Sequence, residues 1–420
     1  MAVAGAIALT LAACAGGADD AGSDDTGSGG SGEAEPLSIG TILPVTGSLA
    51  QLGPPEIAGV DLAVKEINDA GGLFGADVEV THTDSSDAQN ASVATQSAQS
   101  LISAGVSAII GAASSSVSKN IVDDITGAGI VQVSPANTAT DLSGYNEFYF
   151  RTAPPDTVQG DVLGNLIVSD GASNVGILVF NDSYGTSLRD VVEGVVTDAG
   201  GTVVYGTKGQ EFDPAETNFA TIVSEAIGAS PDAIAVLAFT DQTPAIVREL
   251  VAQNWDMSKT YFVDGNLQNF GVEGEVGFPP DTLTNAQGTL PGAYPSEEFR
   301  TRMLEIDPDL KDYSYGPESY DAVMLVALAA LKGGASDGAT IQANMAAVSG
   351  ADGGTECTGW EECSELVEAG EDIAYQAVSG VGPFNDANDP SSAFIGIYQF
   401  GAENTYTFSR SEEGEVPDGE

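Results

Sequence analysis

At 420 residues and 42.6 kDa the chain is long enough for two lobes with a core each, and its 42% hydrophobic content is that of a globular protein. Against 62 acidic residues there are only 12 basic ones, a formal net charge of −50. That leaves no basic surface to displace counterions, which excludes a nucleic-acid partner and a polybasic contact with a membrane surface. Acid in this excess solvates the surface and suits a salty or acidic exterior, where salt screens self-repulsion.

Residues 1–13 are small and apolar, and the eleven from Val3 to Ala13 are too few to span a bilayer but suit the core of a signal peptide. They end in Leu11-Ala-Ala-Cys14, which resembles the bacterial lipoprotein signal box; in that family the cysteine becomes the new N-terminus and carries lipid. Lys65 is the first basic residue, so the positive region that opens such leaders is missing and the expectation is a signal peptide truncated at its start. Cys14 to Pro36 is then an acidic Gly/Ser tether. Its 22 residues after the cysteine would average roughly 25 Å end to end as a random coil.

From Leu37 the pattern alternates strand and helix. Strand 37–43 and a Gly/Pro-bearing loop to Pro55 lead to helix 56–69, with Ile57, Val60, Val64 and Ile67 on one face and Gly71-Gly72 closing it. Strand 78–83, helix 90–104, strand 108–110, a helix after the serines at 114–116, and strands 130–133 and 148–151 complete one unit. After Pro154-Pro155 the scheme restarts with helices at 157–169, 184–199, 216–227 and 242–253, and strands at 175–180, 202–205, 233–239 and 261–263. Beyond Gly288, helices at 296–306, 317–332 and 338–348 and strands near 374–378, 394–400 and 406–408 are too few for a third domain. They are expected to complete the first two. The predicted fold is α/β, with two similar doubly wound parallel-sheet lobes and a ligand cleft between them. Lobe 1 is assigned 37–154 plus 288–378, lobe 2 is assigned 155–287 plus 379–410, and 411–420 is read as an acidic tail.

The stretch Ala108-Ile-Ile-Gly-Ala-Ala-Ser-Ser-Ser-Val-Ser118 reads as a buried strand, a glycine, and hydroxyls on a helix N-terminus. Such serines cap their own helix, and the same free N–H groups attract a carboxylate or phosphate; both readings stand. Other strand ends carry Gly47-Ser-Leu-Ala-Gln-Leu-Gly53, Ser134-Pro-Ala-Asn-Thr138, Asn181-Asp-Ser-Tyr-Gly185, Phe239-Thr-Asp241 and Asp264-Gly265. Open α/β sheets bind ligands at those ends. Tyr184-Gly185 also reads as helix-entry packing, Asp264-Gly265 as a turn, Thr138 as a cap, and Asp141 and Asp182 as solvated acids. His82, between two threonines on a strand, reads as structural. Cys357 and Cys363 bracket five residues and are expected to close as a disulfide, since two cysteines alone make no metal site.

Ile39-Gly-Thr-Ile-Leu-Pro-Val-Thr-Gly47, Lys65-Glu-Ile-Asn-Asp-Ala-Gly-Gly72, Ile110-Gly-Ala-Ala-Ser-Ser-Ser116, Ser134-Pro135 and Tyr184-Gly185 follow one another in order. In this the chain resembles, from Leu37 to about Ser409, the branched-chain amino-acid-binding proteins, type I periplasmic binding proteins that serve ABC importers. The resemblance implies that Ser115 donates to a ligand α-carboxylate, with the Ala136 backbone and Thr138 as partners. It implies that Tyr184 closes over the α-ammonium group and that Asp264 is the acid facing it. Leu52 and Phe239 or Thr240 are implied to form the side-chain pocket, where relatives often carry aromatics; aspartate at 264 also replaces a longer glutamate seen in some relatives. No cofactor and no metal are implied. The implied partners are a small amino-acid-like ligand, an ABC permease with its ATPase subunits, whose basic surfaces would meet the acidic lobe rims, and the membrane through lipid on Cys14. The implied state is a monomer outside the cell, tethered to the outer face of a bacterial cytoplasmic membrane. A receptor of the same fold for amides, urea or another small polar solute is the near alternative.

An extracellular hydrolase is the distant one. Ser116-Val-Ser-Lys119 matches the serine–lysine motif of penicillin-recognising enzymes, but the companion Ser-Asp-Asn and Lys-Thr-Gly motifs are absent. There is no G-x-S-x-G elbow, P-loop or H-E-x-x-H, and a Ser-His-Asp site would have to use the single histidine, His82. Phe384-Asn-Asp-Ala-Asn-Asp-Pro390 lacks the EF-hand glycine and final glutamate and reads as a turn. The expectation is a binding protein, not an enzyme.

Overall fold

Four-residue runs with every side chain buried, Ala108–Gly111 and Val131–Ser134, mark strands covered on both faces, and both lie inside parallel sheets. The computed structural model describes residues 35–271 and 276–416, with Met1. The expected signal peptide, the lipidated Cys14 and nearly all of the tether lie outside the described residues.

The first lobe opens with β1 (Ser38–Leu43), α1 (Gly53–Asp69), β2 (Glu79–Asp84), α2 (Ser92–Ala104), β3 (Ala108–Gly111), α3 (Ser115–Gly127), β4 (Val131–Ser134) and β5 (Tyr149–Arg151). Its sheet is all parallel, in the order β2-β1-β3-β4-β5. The chain then crosses to α4 (Asp156–Ser169), β6 (Asn174–Val179), α5 (Ser183–Asp198), β7 (Thr202–Tyr205), α6 (Ala220–Gly228), β8 (Ala233–Leu237), α7 (Thr243–Ala252), β9 (Thr260–Phe262) and β10 (Gln287–Pro291). It returns for α8 (Glu297–Ile306), α9 (Gly316–Gly333), α10 (Gly338–Ser349), β11 (Thr355–Cys357), α11 (Gly359–Glu368) and β12 (Ile373–Tyr375), and crosses again to β13 (Ser392–Phe400) and β14 (Tyr406–Glu415). The second sheet runs β14-β13-β10-β9-β8-β6-β7, parallel except at the β10–β13 and β13–β14 pairs. This is the two-lobed α/β fold expected from the sequence.

Several boundaries differ from the expectation. Residues 287–291 pair with β9 and β13, so the stretch assigned to lobe 1 from 288 begins on the second sheet. Residues 411–415 are no tail: they complete β14, laddered against β13, whose inward side chains leave the acids on the exposed face. The strand expected near 374–378 joins neither large sheet; β12 pairs only with β11, in a two-stranded sheet. The first helix starts at Gly53, since Pro54 and Pro55 fit a first turn whose N–H groups need no intrahelical partner. The helix expected from 216 starts at Ala220, because the Glu216 and Asn218 side chains draw the amides of residues 217, 218 and 220 into a turn.

Residues 316–330 of α9 are buried on all sides, which marks the central helix of the first lobe's core. It crosses α1 so closely that a Cβ on Gly59 would lie 2.1 Å from the Gly316 carbonyl oxygen. No single helix among the described residues is long and apolar enough to cross a membrane. Cys357 and Cys363 are joined in a disulfide, Cα–Cα 5.3 Å, that pins α11 beside β11. His82 sits between Thr41 Oγ1 and Asp61 Oδ1, each at 2.9 Å, as a structural side chain.

Three segments, 152–155, 292–296 and 376–391, join the lobes. The turn at 384–390 carries Asp389, whose carboxylate takes Arg151 Nε and Nη2 at 2.7 and 2.8 Å. Both side chains are buried, and the guanidinium also donates to Ala139 O and Ser143 Oγ. Asp321 on α9 holds the same crossing by accepting from Tyr375 Oη and the amides of Val378 and Ser379. Arg151→Leu strands the Asp389 carboxylate in the interior and is expected to cost about 3–5 kcal/mol of stability. Urea denaturation of the two proteins measures it, and a loss below about 1 kcal/mol would show the pair to be dispensable.

Candidate functional site

The site begins at Gly111, where β3 ends. Its φ of +121° and the 2.1 Å that would separate a Cβ from Ile42 O admit only glycine, and the chain turns there toward α3. Ser114 caps α3, accepting from Val117 N at 3.4 Å. The next residue, Ser115, is 1% exposed, and its Oγ accepts from the amides of Thr138 (3.4 Å) and Ala139 (3.2 Å). With its lone pairs so used, the hydroxyl proton has no acceptor among the described residues. Thr138 Oγ1, also buried, completes no hydrogen bond among the described residues, with the Asp156 carboxyl nearby. Two hydroxyls and the Ala136 loop thus stand together at a helix N-terminus, where the capping expected of the serines falls to Ser114.

The second lobe faces them with Asp264, at the end of β9. Its carboxylate accepts Tyr184 Oη at 2.5 Å, Tyr315 Oη at 2.7 Å and Gln159 Nε2 at 2.8 Å. Burial raises its pKa, and these hydrogen bonds oppose the rise. Tyr184 stacks on Phe239, centroids 5.5 Å apart and 11° between planes, so the aromatic wall comes from two successive strand ends of lobe 2. Leu52 and Leu49 close the opposite side from the β1–α1 loop. What remains is a cavity of about 10 Å³, enclosed by Ser115, Thr138, Tyr184, Asp264, Phe239 and Leu52.

Of the residues singled out from sequence, Ser115, Ala136, Thr138, Tyr184, Asp264, Leu52 and Phe239 line this one space. Thr240 does not. It points out of the cavity and donates to Ser48 O, 2.7 Å away on the other lobe, because the chain has left β8 at Leu237 and turns there toward α7. Asp182 is no solvated acid: it caps α5 through Tyr184 N and accepts Ser116 Oγ at 2.6 Å across the lobes. Asp141 is exposed and pairs with Lys119. Ser116 and Lys119, the two ends of the hydrolase-like motif, are therefore spent on contacts at the cleft rim. Ser116 Oγ to Asp182 and Thr140 N to Ser187 Oγ, at 2.6 and 2.9 Å, hold the lobes shut, so a solute larger than the cavity enters only when the lobes part.

Two site residues carried no usable sequence signal. Tyr315 belongs to the loop before α9, far along the chain from every other lining residue, and sits in the left-handed region at φ +59°. Gln159 lies one turn into α4 and is wholly buried, a position where periodicity predicts only core.

A periplasmic binding protein family model matches residues 36–363. The chain belongs to that family. Over 376 residues, 86% of each chain, it is 25% identical to the chemotactic signal transduction system substrate-binding protein BasB of Halobacterium salinarum. It is 28% identical over 321 residues, 74% of this chain and 81% of the relative, to Leu/Ile/Val-binding protein homolog 1 of Brucella suis. Its fold superposes on the branched-chain amino acid transporter substrate-binding protein LivJ of Streptococcus pneumoniae, in complex with isoleucine, with a TM-score of 0.71 at 21% identity, covering 91% of this chain and 100% of that one. The family named from the sequence motifs is the one found. Membership is that of an extracytoplasmic protein that binds a small solute, not that of an enzyme.

Beside this binding protein's cleft, Asp156 opens α4 fully buried, and neither of its carboxyl oxygens completes a hydrogen bond. Burial pushes its pKa up to about 7, tempered by the nearby Ser187 and Thr138 hydroxyls. The folded protein holds this proton more tightly than the unfolded chain, whose value is near 3.8. The stabilising contribution is therefore complete below about pH 4 and is lost as pH rises toward 7. Relative to Asp156→Asn, the native protein should lose up to about 1.4 kcal/mol per pH unit across that window and nothing further above it. Urea denaturation from pH 5 to 8 checks this, and parallel profiles for the two proteins would contradict it.

Proposed function

We propose that this protein is the lipid-anchored receptor of an ABC importer and captures a small α-amino acid, of branched-chain type or a close relative, between its lobes. The carrying observation is the opposition of unlike polar groups across one enclosed space. Free hydroxyls of Ser115 and Thr138 stand on lobe 1, and the Asp264 carboxylate stands on lobe 2. An α-amino acid presents a carboxylate and an ammonium that need those two ends, and desolvation by closure strengthens both contacts. Leu49, Leu52 and Phe239 offer an apolar wall to a short aliphatic side chain.

In this reading a solute draws the lobes together and the closed form is delivered to the permease and its ATPase subunits. Lipid on Cys14 would keep the monomeric receptor at the outer face of the membrane, with residues 15–36 as its tether. The likeness to BasB along 86% of both chains supports a second role, presenting the loaded receptor to a signalling partner.

A thermal-shift screen of amino acids, amides and urea identifies the solute, since a ligand at a hundred times its dissociation constant stabilises by roughly 2.7 kcal/mol. Ser115→Ala should weaken the amino acid found by about 1–3 kcal/mol in calorimetric titration, one charge-assisted hydrogen bond being lost. Asp264→Asn should weaken α-amino acids far more than their deaminated analogues. Stabilisation by amides or urea alone would overturn the amino-acid reading, and equal losses for both ligand types would remove Asp264 from the ammonium site.

A further inference from the structure

Next to the central cleft lies a second space between the lobes, of about 300 Å³, a volume at the lower end of small-molecule sites. Lobe 1 contributes the start of α8 and the loop into α9; lobe 2 contributes β10, β13 and β14. Tyr315 lines both spaces and is the wall between them.

Its chemistry is unlike the rest of the surface. Two of the twelve basic residues, Arg300 and Lys311, line it, and neither is ion-paired among the described residues in a chain with 62 acids. Arg300 is held in place by rings, its Cζ 5.1 Å from the Tyr294 centroid and 5.9 Å from that of Tyr313, while its Nε is buried with no partner. Across from it, Tyr294 stacks on Phe408 at 4.8 Å, and Phe408 meets Tyr398 edge-on at 5.6 Å. Tyr398 is 4% exposed, yet its hydroxyl has no partner among the described residues. Tyr294 and Phe408 are among the few large aromatic side chains left exposed, at 42% and 37%. The acids present are engaged or enclosed: Asp312 accepts Tyr406 Oη and Ser314 N, and Glu318 is 2% exposed.

We propose that this second space is a binding site for an aromatic carboxylate, whose ring packs against Tyr294, Tyr398 and Phe408 and whose carboxylate meets Arg300 and Lys311. Arg300 Nη1 donates to Tyr294 Oη at 3.3 Å, and Nη2, which has no acceptor among the described residues, remains for a carboxylate. Ring walls prefer a flat guest in offset or edge-on contact. The two cations turn away a quaternary ammonium, which the rings alone would accept. The site stands independently of the reading of the central cleft, since it uses neither Ser115 nor Thr138.

Calorimetric titration of the whole protein with benzoate, phenylacetate and 4-hydroxyphenylacetate tests it, with acetate and benzyl alcohol as probes lacking ring or charge. At least one aromatic acid should bind saturably with one equivalent, and neither control should. Arg300→Gln should weaken that binding at least tenfold, and Lys311→Gln, at an exposed position that the fold tolerates, severalfold. Ser115→Ala should leave it within twofold. Absence of saturable binding by all three acids, or binding indifferent to both cation variants, would overturn the proposal. Loss on Ser115→Ala alone would do so too, by placing the ring in the central cleft.

Discussion

The buried Arg151–Asp389 pair is the contact on which the geometry of the cleft depends. A guanidinium and a carboxylate removed from water are tolerable only when every donor finds an acceptor, and here the bidentate pair, Ala139 O and Ser143 Oγ supply them. The consequence reaches the ligand end of the lobe. Ala139, held by its carbonyl from Arg151, gives its amide to Ser115 Oγ. A single chain of polar contacts therefore runs from a crossing segment between the lobes to the serine hydroxyl that faces the cavity.

The two lobes divide the polar work asymmetrically. Lobe 1 offers neutral donors on a helix N-terminus, where the dipole favours negative charge. Lobe 2 offers one carboxylate, and three donors hold it in position before any solute arrives. One of those donors, Tyr315, comes from the first lobe, so Asp264 itself helps to join the lobes. Asp156 adds a buried acid that stays largely neutral below pH 7. Burying these polar groups costs free energy, which a zwitterion meeting both ends would offset.

Much of the molecule follows from local pattern. Apolar runs of four or five residues, each closed by glycine or a small polar residue, located most of the strands, because parallel strands buried on both faces must be continuously apolar. The same pattern located the ligand side, since strand C-termini in open α/β sheets carry the binding loops. Seven of the eight proposed ligand contacts consequently line one cavity, although six separate strand ends supply them. The exception, Thr240, depended on how the chain turns after β8 ends at Leu237, which sequence leaves open when both neighbours could fill a pocket.

What local pattern could not reach was set by contacts distant along the chain. Arg151 and Asp389 are 238 residues apart, and neither has a periodicity or motif to mark it. Tyr315 joins Asp264 only because two lobes meet there, and Gln159 joins it because α4 packs beside β10. The strand at Gln287–Pro291 and the far half of β14 are short or acidic by themselves, and become strands because β13 lies between them with hydrogen bonds to give on both sides. Sequence alone determined the fold class, the family and most of the side chains that line the cleft, since those rest on short-range apolar pattern and on motifs within single loops. Tertiary structure alone decided which buried charges are paired and which hydroxyls are left free, because desolvation and pairing are properties of the assembled interior.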